Sequence, residues 1–205
     1  MNVREIGEVY LVDDEAVVRD ALAFLLGSRG LLVHTFGSGP DLLTYLAGSH
    51  LPVRGVFVLD VRMDPMSGLR LHDELNALGV RNPVMFLSGH GDIPMVVEAL
   101  KKGAFDFLEK PYSDNALVDR IEQALAIEAA TYVNDARESE RKARLASLSD
   151  REREVMTRVA AGKLNKVIAD ELHIAVRTVE VHRARVFSKL GVRSAAELAG
   201  WLATG

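Results

Sequence analysis

Residues 56–60 read Val-Phe-Val-Leu-Asp, four apolar side chains followed directly by a carboxylate. A short apolar run without polar alternation is typical of a strand that is buried on both faces of a parallel sheet. Amphipathic stretches separate this run from four others of similar length: Val9–Val12, Leu31–Thr35, Val84–Leu87 and Phe105–Leu108. Alternating strands and helices in this order predict a doubly wound α/β domain with a five-stranded parallel sheet.

The stretches between these runs have helical periodicity. The first helix, over residues 16–26, is expected to present an apolar face formed by Val17, Ala21, Phe24 and Leu25. Ser67 and Asp92 stand where they can cap the third and fourth helices. A fifth helix is expected to begin near Asn115.

The composition is that of a globular protein, since 48% of the 205 residues are hydrophobic and 26% are charged. The absence of cysteine excludes disulfides, thiolate metal sites and cysteine nucleophiles. No basic segment followed by an apolar one opens the sequence, and no apolar run reaches membrane-spanning length. We therefore expect a soluble, cytoplasmic protein without a membrane partner.

The net charge of −4 is the sum of two unlike regions. Residues 1–127 carry 11 Lys and Arg against 18 Asp and Glu, a net charge of −7. Residues 148–205 carry 10 against 7, a net charge of +3, and the stretch between the two regions is balanced. An acidic module joined to a basic one suggests that the second module meets a polyanion.

Polar side chains follow the predicted strands of the acidic module, in the order Asp13-Asp14, Asp60, Ser88 and Lys110-Pro111. Because the carboxyl ends of parallel strands share one edge of a sheet, we expect these groups to meet in one pocket. Three close carboxylates repel each other unless a cation joins them, and their hard oxygens suit Mg²⁺ or Mn²⁺. In such a pocket Asp60 can act as a nucleophile that forms an aspartyl phosphate, with Lys110 as counter-charge and Ser88 as hydrogen-bond donor.

Four segments resemble the receiver domain of two-component response regulators over residues 6–125: Val12-Asp13-Asp14-Glu15, Val58-Leu59-Asp60-Val61-Arg62-Met63, Ser88-Gly89-His90-Gly91-Asp92 and Phe107-Leu108-Glu109-Lys110-Pro111. The resemblance implies a flavodoxin-like fold and phosphorylation of Asp60 by a sensor histidine kinase. It implies a metal site formed by Asp13, Asp14, Asp60 and the backbone carbonyl of Arg62. The positions expected to switch on phosphorylation are Ser88, Phe107, Lys110 and Pro111, with a cis bond before the proline.

One segment departs from the family pattern. Family members usually show Pro-Gly after the stretch that matches residues 60–63, whereas this sequence reads Asp64-Pro65. A proline fixes its own φ and biases the preceding residue towards an extended conformation. We therefore expect an altered loop path and an additional negative charge beside the phosphorylation site.

The residues after 148 carry helical patterns and no strand pattern. Ser149 and Glu152 have the spacing of a capping box at the start of a first helix. The sequence then predicts a second helix over residues 165–172, a tight turn at His173-Ile174 and a cationic third helix over about 175–190. This order is typical of a helix-turn-helix, and a fourth helix is predicted over 194–202. The Ala-rich, charged stretch 128–146 predicts a helical extension or flexible linker, so the predicted domains are 1–127, 128–146 and 147–205.

Four segments of the basic half resemble the LuxR-type helix-turn-helix over residues 147–202; they are residues 148–155, 161–169, 177–183 and 189–194. Together with the receiver-like half they resemble the NarL/FixJ family, and its FixJ type most closely. The residues expected to contact DNA are Asn165, Lys166, Arg177, Thr178, Glu180, Val181, Arg183, Ala184, Arg185 and Lys189. His173 stands where the family favours Gly and Ala175 where it favours a Ser cap, which weakens the start of the third helix.

Glu180 allows two interpretations. Its carboxylate can accept a hydrogen bond from cytosine N4, or it can orient a neighbouring arginine such as Arg177 or Arg183. The sequence leaves both open.

These features give the hypothesis of a transcriptional regulator that is switched by phosphorylation, most often an activator in this family. Phosphorylation of Asp60 would change the face formed by the fourth helix, fifth strand and fifth helix and would favour a homodimer. The dimer would bring two recognition helices to double-stranded DNA, and RNA polymerase is the partner expected at the promoter. No enzymatic turnover is expected beyond slow self-dephosphorylation. The alternatives are a phosphorylation-independent regulator, an aspartyl-phosphate enzyme such as a phosphatase, and a protein-interaction receiver, which the basic half disfavours.

Overall fold

A computed structural model describes residues 7–49, 53–89 and 93–203 of the chain. The chain divides into two compact units, one up to Tyr132 and one from Val133 onward. The first unit has a hydrophobic core on each face of its sheet, and the second has a core of its own.

The first unit contains a five-stranded parallel sheet in the order β2-β1-β3-β4-β5. The strands are β1 (Glu8–Val12), β2 (Leu32–Phe36), β3 (Val56–Asp60), β4 (Val84–Ser88) and β5 (Asp106–Glu109). Every residue of β3 and β4 is buried, which explains their unbroken apolar sequences. In the strand register Asp60 pairs with Leu87 and Ser88 with Glu109, so the strands end side by side. The predicted doubly wound fold is confirmed.

Five helices connect and follow these strands: α1 (Ala16–Ser28), α2 (Gly39–Gly48), α3 (Gly68–Ala77), α4 (Ile93–Lys101) and α5 (Asp114–Ala146). The predicted cap of α3 is present, since the Ser67 side chain accepts a hydrogen bond from the amide of Arg70 at 3.3 Å. Asp92, the predicted cap of α4, lies outside the described residues.

The apolar face predicted for α1 is not the face that packs on the sheet. Val17 and Phe24 are each 81% exposed. Leu22 and Leu26 are buried instead, with Val18 and Leu25 packed against the same core. Of the predicted face, only Leu25 packs against this core.

The beginning of the predicted 128–146 linker packs on the first unit as part of the long helix α5. Arg54 donates to both carboxylate oxygens of Glu128, at 2.5 and 3.1 Å, and Glu128 is only 8% exposed. The Arg54 guanidinium also lies 3.8 Å from the ring centroid of Tyr132. These contacts explain why the first unit extends to Tyr132.

The second unit contains the end of α5 and four shorter helices: α6 (Asp150–Ala160), α7 (Asn165–Leu172), α8 (Val176–Leu190) and α9 (Ala195–Ala203). His173 has a left-handed backbone with φ of 53°, as expected for a residue that stands where the family favours Gly. Ala175 is the N-cap of α8 and makes no side-chain capping bond. The helix-turn-helix therefore forms without the usual cap of its third helix.

The start of α6 and the end of α8 are joined at Glu152, which is 3% exposed. Its carboxylate accepts from the Ser149 amide at 2.9 Å, and the Ser149 hydroxyl accepts from the Glu152 amide at 3.3 Å, which is the predicted capping box. The Lys189 ammonium donates to Glu152 Oε2 at 2.6 Å. The hydrogen bond from Lys189, followed by that from the Ser149 backbone, lowers the pKa of Glu152.

A carboxylate whose pKa is lower in the folded than in the unfolded chain stabilises the fold above its unfolded pKa, about 4.3 for Glu, and loses this contribution as the pH falls through the folded value. We therefore expect Glu152→Gln to reduce the free energy of unfolding of the second unit by about 1–2 kcal/mol near neutral pH. The difference from the parent should shrink on acidification below about pH 4.

Calorimetric melting of the full chain at several pH values measures this difference. Glu154→Gln is the matched control, because Glu154 is exposed and pairs with Arg151 at the surface. A destabilisation by Glu152→Gln that is the same at all pH values would contradict the expected titration of Glu152.

Candidate functional site

The carboxyl ends of β1, β3 and β5 bring Asp13, Asp60 and Lys110 together, as the sequence predicts. Asp60 is the last residue of β3 and is 7% exposed, and Asp13 is 1% exposed. The Nζ atom of Lys110 lies 2.5 Å from Asp60 Oδ1 and 3.6 Å from Asp13 Oδ2. One ammonium group therefore faces two buried carboxylates.

The protonation of this pair follows from its surroundings. Burial raises the pKa of Asp60, against the hydrogen bond and charge of Lys110 and the hydrogen bond from the Arg62 amide at 2.8 Å. Burial alone would lower the pKa of Lys110, but the hydrogen bond to Asp60 and the charges of Asp60 and Asp13 outweigh it, and the pKa of Lys110 is raised. Lys110 is therefore held in its cationic form.

Asp14 lies beside the buried pair and is exposed. Its Oδ2 atom accepts from the amide of Asp64 at 3.3 Å. The loop that departs from the family pattern therefore contacts the acidic pair, Asp13 and Asp14, directly. The bond between Asp64 and Pro65 is cis. An open cleft of about 290 Å³ adjoins this loop, and its lining residues are Asp14, Val61, Arg62, Met63, Asp64, Ser67, Leu69 and Met95.

The oxygen atoms of this edge fit a hard divalent cation. Asp13 Oδ2 is buried and has no hydrogen-bond partner, which is the state that a bound cation would relieve. The carboxylates of Asp14 and Asp60 supply further donors of the type that Mg²⁺ prefers. Within the described ranges, no three His, Asp or Glu side chains already converge on one point. Lys110 instead supplies the positive charge that neutralises Asp60.

The expected switch residues lie along the neighbouring strands β4 and β5. Ser88 is fully buried, and its hydroxyl donates to the Leu108 carbonyl at 3.4 Å. The amide of Lys110 donates to the Ser88 carbonyl at 2.7 Å. Phe107 is half-buried against the core on one face of the sheet. The bond before Pro111 is cis, as the resemblance implies.

Two residues that matter for the site were not singled out from the sequence. Gly68 opens α3 directly over the end of β3, and a Cβ atom at this position would lie 2.1 Å from the Asp60 carbonyl oxygen. Only glycine permits this approach, and its place behind a Ser cap was the available signal. Arg19 is the other, and its Nη1 atom donates to the Asp13 carbonyl.

The second unit presents an exposed face along α8. The residues on this face follow helical spacing and carry two cations; they are Arg177, Thr178, Val181, Ala184 and Arg185. Lys166 is exposed on α7. These six of the predicted DNA-contacting residues are accessible to a large ligand.

The remaining predicted contacts are engaged in the unit itself. Arg183 is half-buried and donates to Asn165 Oδ1 at 3.0 Å, with its guanidinium 5.2 Å from the Phe187 ring. Arg177 Nη1 lies 3.2 Å from Glu180 Oε2 in an exposed ion pair, which fits the arginine-orienting interpretation of Glu180 and leaves the base-contacting one open.

Lys189, another predicted DNA contact, makes two hydrogen bonds within the unit. Its ammonium donates to Glu152 Oε2 at 2.6 Å and to the Ser147 carbonyl at 2.9 Å. The sequence predicted a DNA contact because the residue is cationic and lies on the third helix. The two bonds hold the end of α8 to the start of α6, so the charge of this predicted contact is already paired within the unit.

None of the helices in the described part of the chain combines the length and apolar character needed to cross a membrane.

Comparison with known protein families gives two matches. The response regulator receiver domain matches residues 9–122, and the luxR family of bacterial regulatory proteins matches residues 146–202. The two matched regions lie in the two structural units.

Similar proteins match over nearly the whole chain. The C4-dicarboxylate transport transcriptional regulatory protein DctR of Rhodobacter capsulatus is 48% identical over 193 residues, which cover 93% of this chain and 96% of that protein. The transcriptional regulatory protein FixJ of Bradyrhizobium diazoefficiens is 42% identical over 192 residues, covering 94% and 92%. A solved structure of the response regulator StyR has a TM-score of 0.91 at 40% identity, covering 98% of this chain and 100% of that one. The chain belongs to the NarL/FixJ family of response regulators, in which a receiver domain is joined to a luxR-type DNA-binding domain.

Proposed function

We propose that this chain regulates transcription and is switched by phosphorylation of Asp60 by a sensor histidine kinase. The observation that carries the proposal is the buried contact between Asp60 Oδ1 and Lys110 Nζ at 2.5 Å. A buried carboxylate with a cation at hydrogen-bond distance is both a nucleophile and a site at which added negative charge is neutralised.

The transfer requires an Asp60 oxygen to attack the phosphorus of a phosphohistidine, forming an O–P bond while the P–N bond to the imidazole breaks. Lys110 then pairs with a phosphoryl oxygen instead of with the Asp60 carboxylate. Asp13, Asp14, Asp60 and the Arg62 carbonyl would hold Mg²⁺ or Mn²⁺, which neutralises charge on the transferred group. Ser88 lies on the next strand and would donate to another phosphoryl oxygen.

The kinase needs a surface beside this edge. Val17 and Phe24 lie on α1, which begins directly after the acidic pair, and both are 81% exposed. Large exposed apolar side chains on one helix are typical of a protein–protein contact. We infer that this part of α1 contributes to kinase docking.

The new charge has a short route to the rest of the receiver. A phosphoryl group on Asp60 replaces the single carboxylate charge by about −1.5 to −2 charges on the phosphoryl oxygens, and it draws on Lys110 and Ser88. The backbone hydrogen bond between Lys110 and Ser88 joins the end of β5 to β4. The Ser88 hydroxyl donates to the carbonyl of Leu108, which follows Phe107 on β5. Beyond them lie α4, β5 and α5, the elements of the predicted dimer face. We propose that this face forms a homodimer after phosphorylation.

The regulatory proposal predicts that acetyl phosphate and Mg²⁺ shift the parent protein from monomer to dimer and raise its affinity for promoter DNA. Asp60→Asn should show neither change, because it lacks the nucleophile. Sedimentation velocity and footprinting of genomic fragments, with and without phosphoryl donor, measure both effects.

Asp20→Asn is the matched control, since Asp20 is an exposed acidic residue of the same unit and should respond like the parent. Equal self-association and DNA binding by parent and Asp60→Asn would contradict the proposal and favour a phosphorylation-independent regulator.

We propose that α8 is the recognition helix and enters the major groove with its exposed face. Arg177 lies in the first turn of α8, and its side chain is 87% exposed. Its pairing with Glu180 is a surface ion pair, which contributes little stability, so the guanidinium is available to a phosphate or a guanine edge. We further propose that the protein binds promoter DNA in the cytoplasm and that RNA polymerase is a partner there. The proposed domains are residues 1–127, 128–146 and 147–205.

The DNA interface is tested by the salt dependence of binding. If Arg177 contacts a phosphate, Arg177→Ala should reduce the slope of log K against log salt concentration by about 1. Lys189→Gln removes one positive charge from the same helix, and its ammonium is engaged by Glu152 and Ser147, so the slope should stay at the parent value. Fluorescence anisotropy with a promoter fragment measures both slopes. A slope change in Lys189→Gln without one in Arg177→Ala would contradict this assignment.

A further inference from the structure

Arg19 reaches from α1 to the backbone of the acidic pair. Its Nη1 atom donates to the Asp13 carbonyl oxygen at 2.6 Å. The side chain is half-buried, and a Cβ atom at Gly37 would lie 3.7 Å from the same Nη1 atom. Since Asp13 follows β1 and Gly37 follows β2, the guanidinium lies between the carboxyl ends of these two strands.

The polar atoms of Asp13 are held on three sides. Its amide donates to the Phe36 carbonyl at 3.3 Å, and its carbonyl accepts from Arg19. Its Oδ1 atom accepts from the Glu15 amide at 2.9 Å. The remaining oxygen, Oδ2, is buried without a hydrogen bond and lies 3.6 Å from Lys110 Nζ. The three bonds fix the backbone and the carboxylate plane, so that Oδ2 is the Asp13 oxygen left without a hydrogen bond, on the side of Lys110.

We propose that Arg19 is a positioning residue for the divalent cation, which it serves by fixing Asp13 so that Oδ2 is ready to bind the metal. This inference rests on the proposed function, in which a cation accompanies the phosphoryl group. Groups that orient a metal ligand typically contribute 10–100-fold to metal affinity.

Charge alone predicts the opposite effect. A guanidinium bonded to the Asp13 carbonyl repels an incoming cation, so removing its charge should tighten metal binding if Arg19 acts only through its field. Loss of the hydrogen bond to Asp13 should weaken binding, because the ligand is no longer held in place. The sign of the change in metal affinity therefore distinguishes the two roles.

The test measures Mn²⁺ binding to the unphosphorylated full chain by calorimetry. We expect Arg19→Gln to weaken binding by about tenfold, and Arg19→Lys, which keeps a donor, to weaken it less. Arg29→Gln is the matched control at the C-cap of the same helix, since the Arg29 guanidinium donates to Asn115 at 3.0 Å; the Mn²⁺ affinity of this variant should equal that of the parent. With acetyl phosphate, Arg19→Gln should need more Mg²⁺ for half-maximal phosphorylation and reach the parent's rate at saturation.

Unchanged or tighter Mn²⁺ binding by Arg19→Gln would overturn the proposal. If this variant does not fold, Arg19→Met, which has no donor, takes its place, and an affinity equal to that of the parent overturns the positioning role. Phosphorylation of the parent, measured in the same preparations, distinguishes failure of the proposed function from failure of the role proposed for Arg19. A parent that is not phosphorylated at Asp60 contradicts the proposed function, whereas a phosphorylated parent with an unaffected Arg19→Gln contradicts the role of Arg19 alone.

Discussion

The Lys110 ammonium lies against two buried carboxylates, 2.5 Å from Asp60 and 3.6 Å from Asp13. Removing each of these charges from water costs several kcal/mol, and the cost is offset only when the groups are held in good geometry with further hydrogen bonds. The receiver supplies that geometry through the parallel sheet, whose strands end at one edge. The other features of the site serve this arrangement: Gly68 lets α3 pass over Asp60, and the Arg62 amide holds the second Asp60 oxygen.

The same constraint explains how phosphorylation can act at a distance. Lys110 is bound to Asp60 through its side chain and to Ser88 through its backbone. A phosphoryl group on Asp60 would compete for the Lys110 ammonium. A shift of Lys110 would then move the ends of both β4 and β5, because its backbone is bonded to Ser88. The second unit uses a similar device for a structural purpose, because the buried carboxylate of Glu152 joins the start of α6 to the Lys189 end of α8. That contact supports a helix α8 whose N-cap, Ala175, makes no side-chain bond.

Much of the fold and site could be predicted because both depend on features that a sequence displays. Unbroken apolar runs identify β3 and β4, and polar residues at strand ends identify Asp13, Asp60 and Lys110. The capping box at Ser149 and Glu152 is readable for the same reason, since it depends on a spacing of three residues.

The features that were not predicted depend on which partner a side chain contacts in the folded chain, and the sequence pattern does not specify those partners. The sequence predicted one apolar face for α1 that includes Val17 and Phe24, and both side chains are exposed because other residues of the helix pack on the sheet. Lys189 and Arg19 are long and flexible, so their charge is visible in the sequence and their partners are not. Gly68 was missed because the need for glycine arises from a contact with the Asp60 carbonyl, which belongs to the preceding strand.

We propose that Asp60, held by Lys110, is the nucleophile that accepts the phosphoryl group. The most direct test is to incubate the full chain with acetyl phosphate and Mg²⁺, reduce the acyl phosphate with borohydride, and locate the resulting homoserine by peptide mass spectrometry. We predict homoserine at Asp60 alone. Homoserine at Asp13 or Asp14 with Asp60 unmodified, or no modification of the chain at all, would contradict the account.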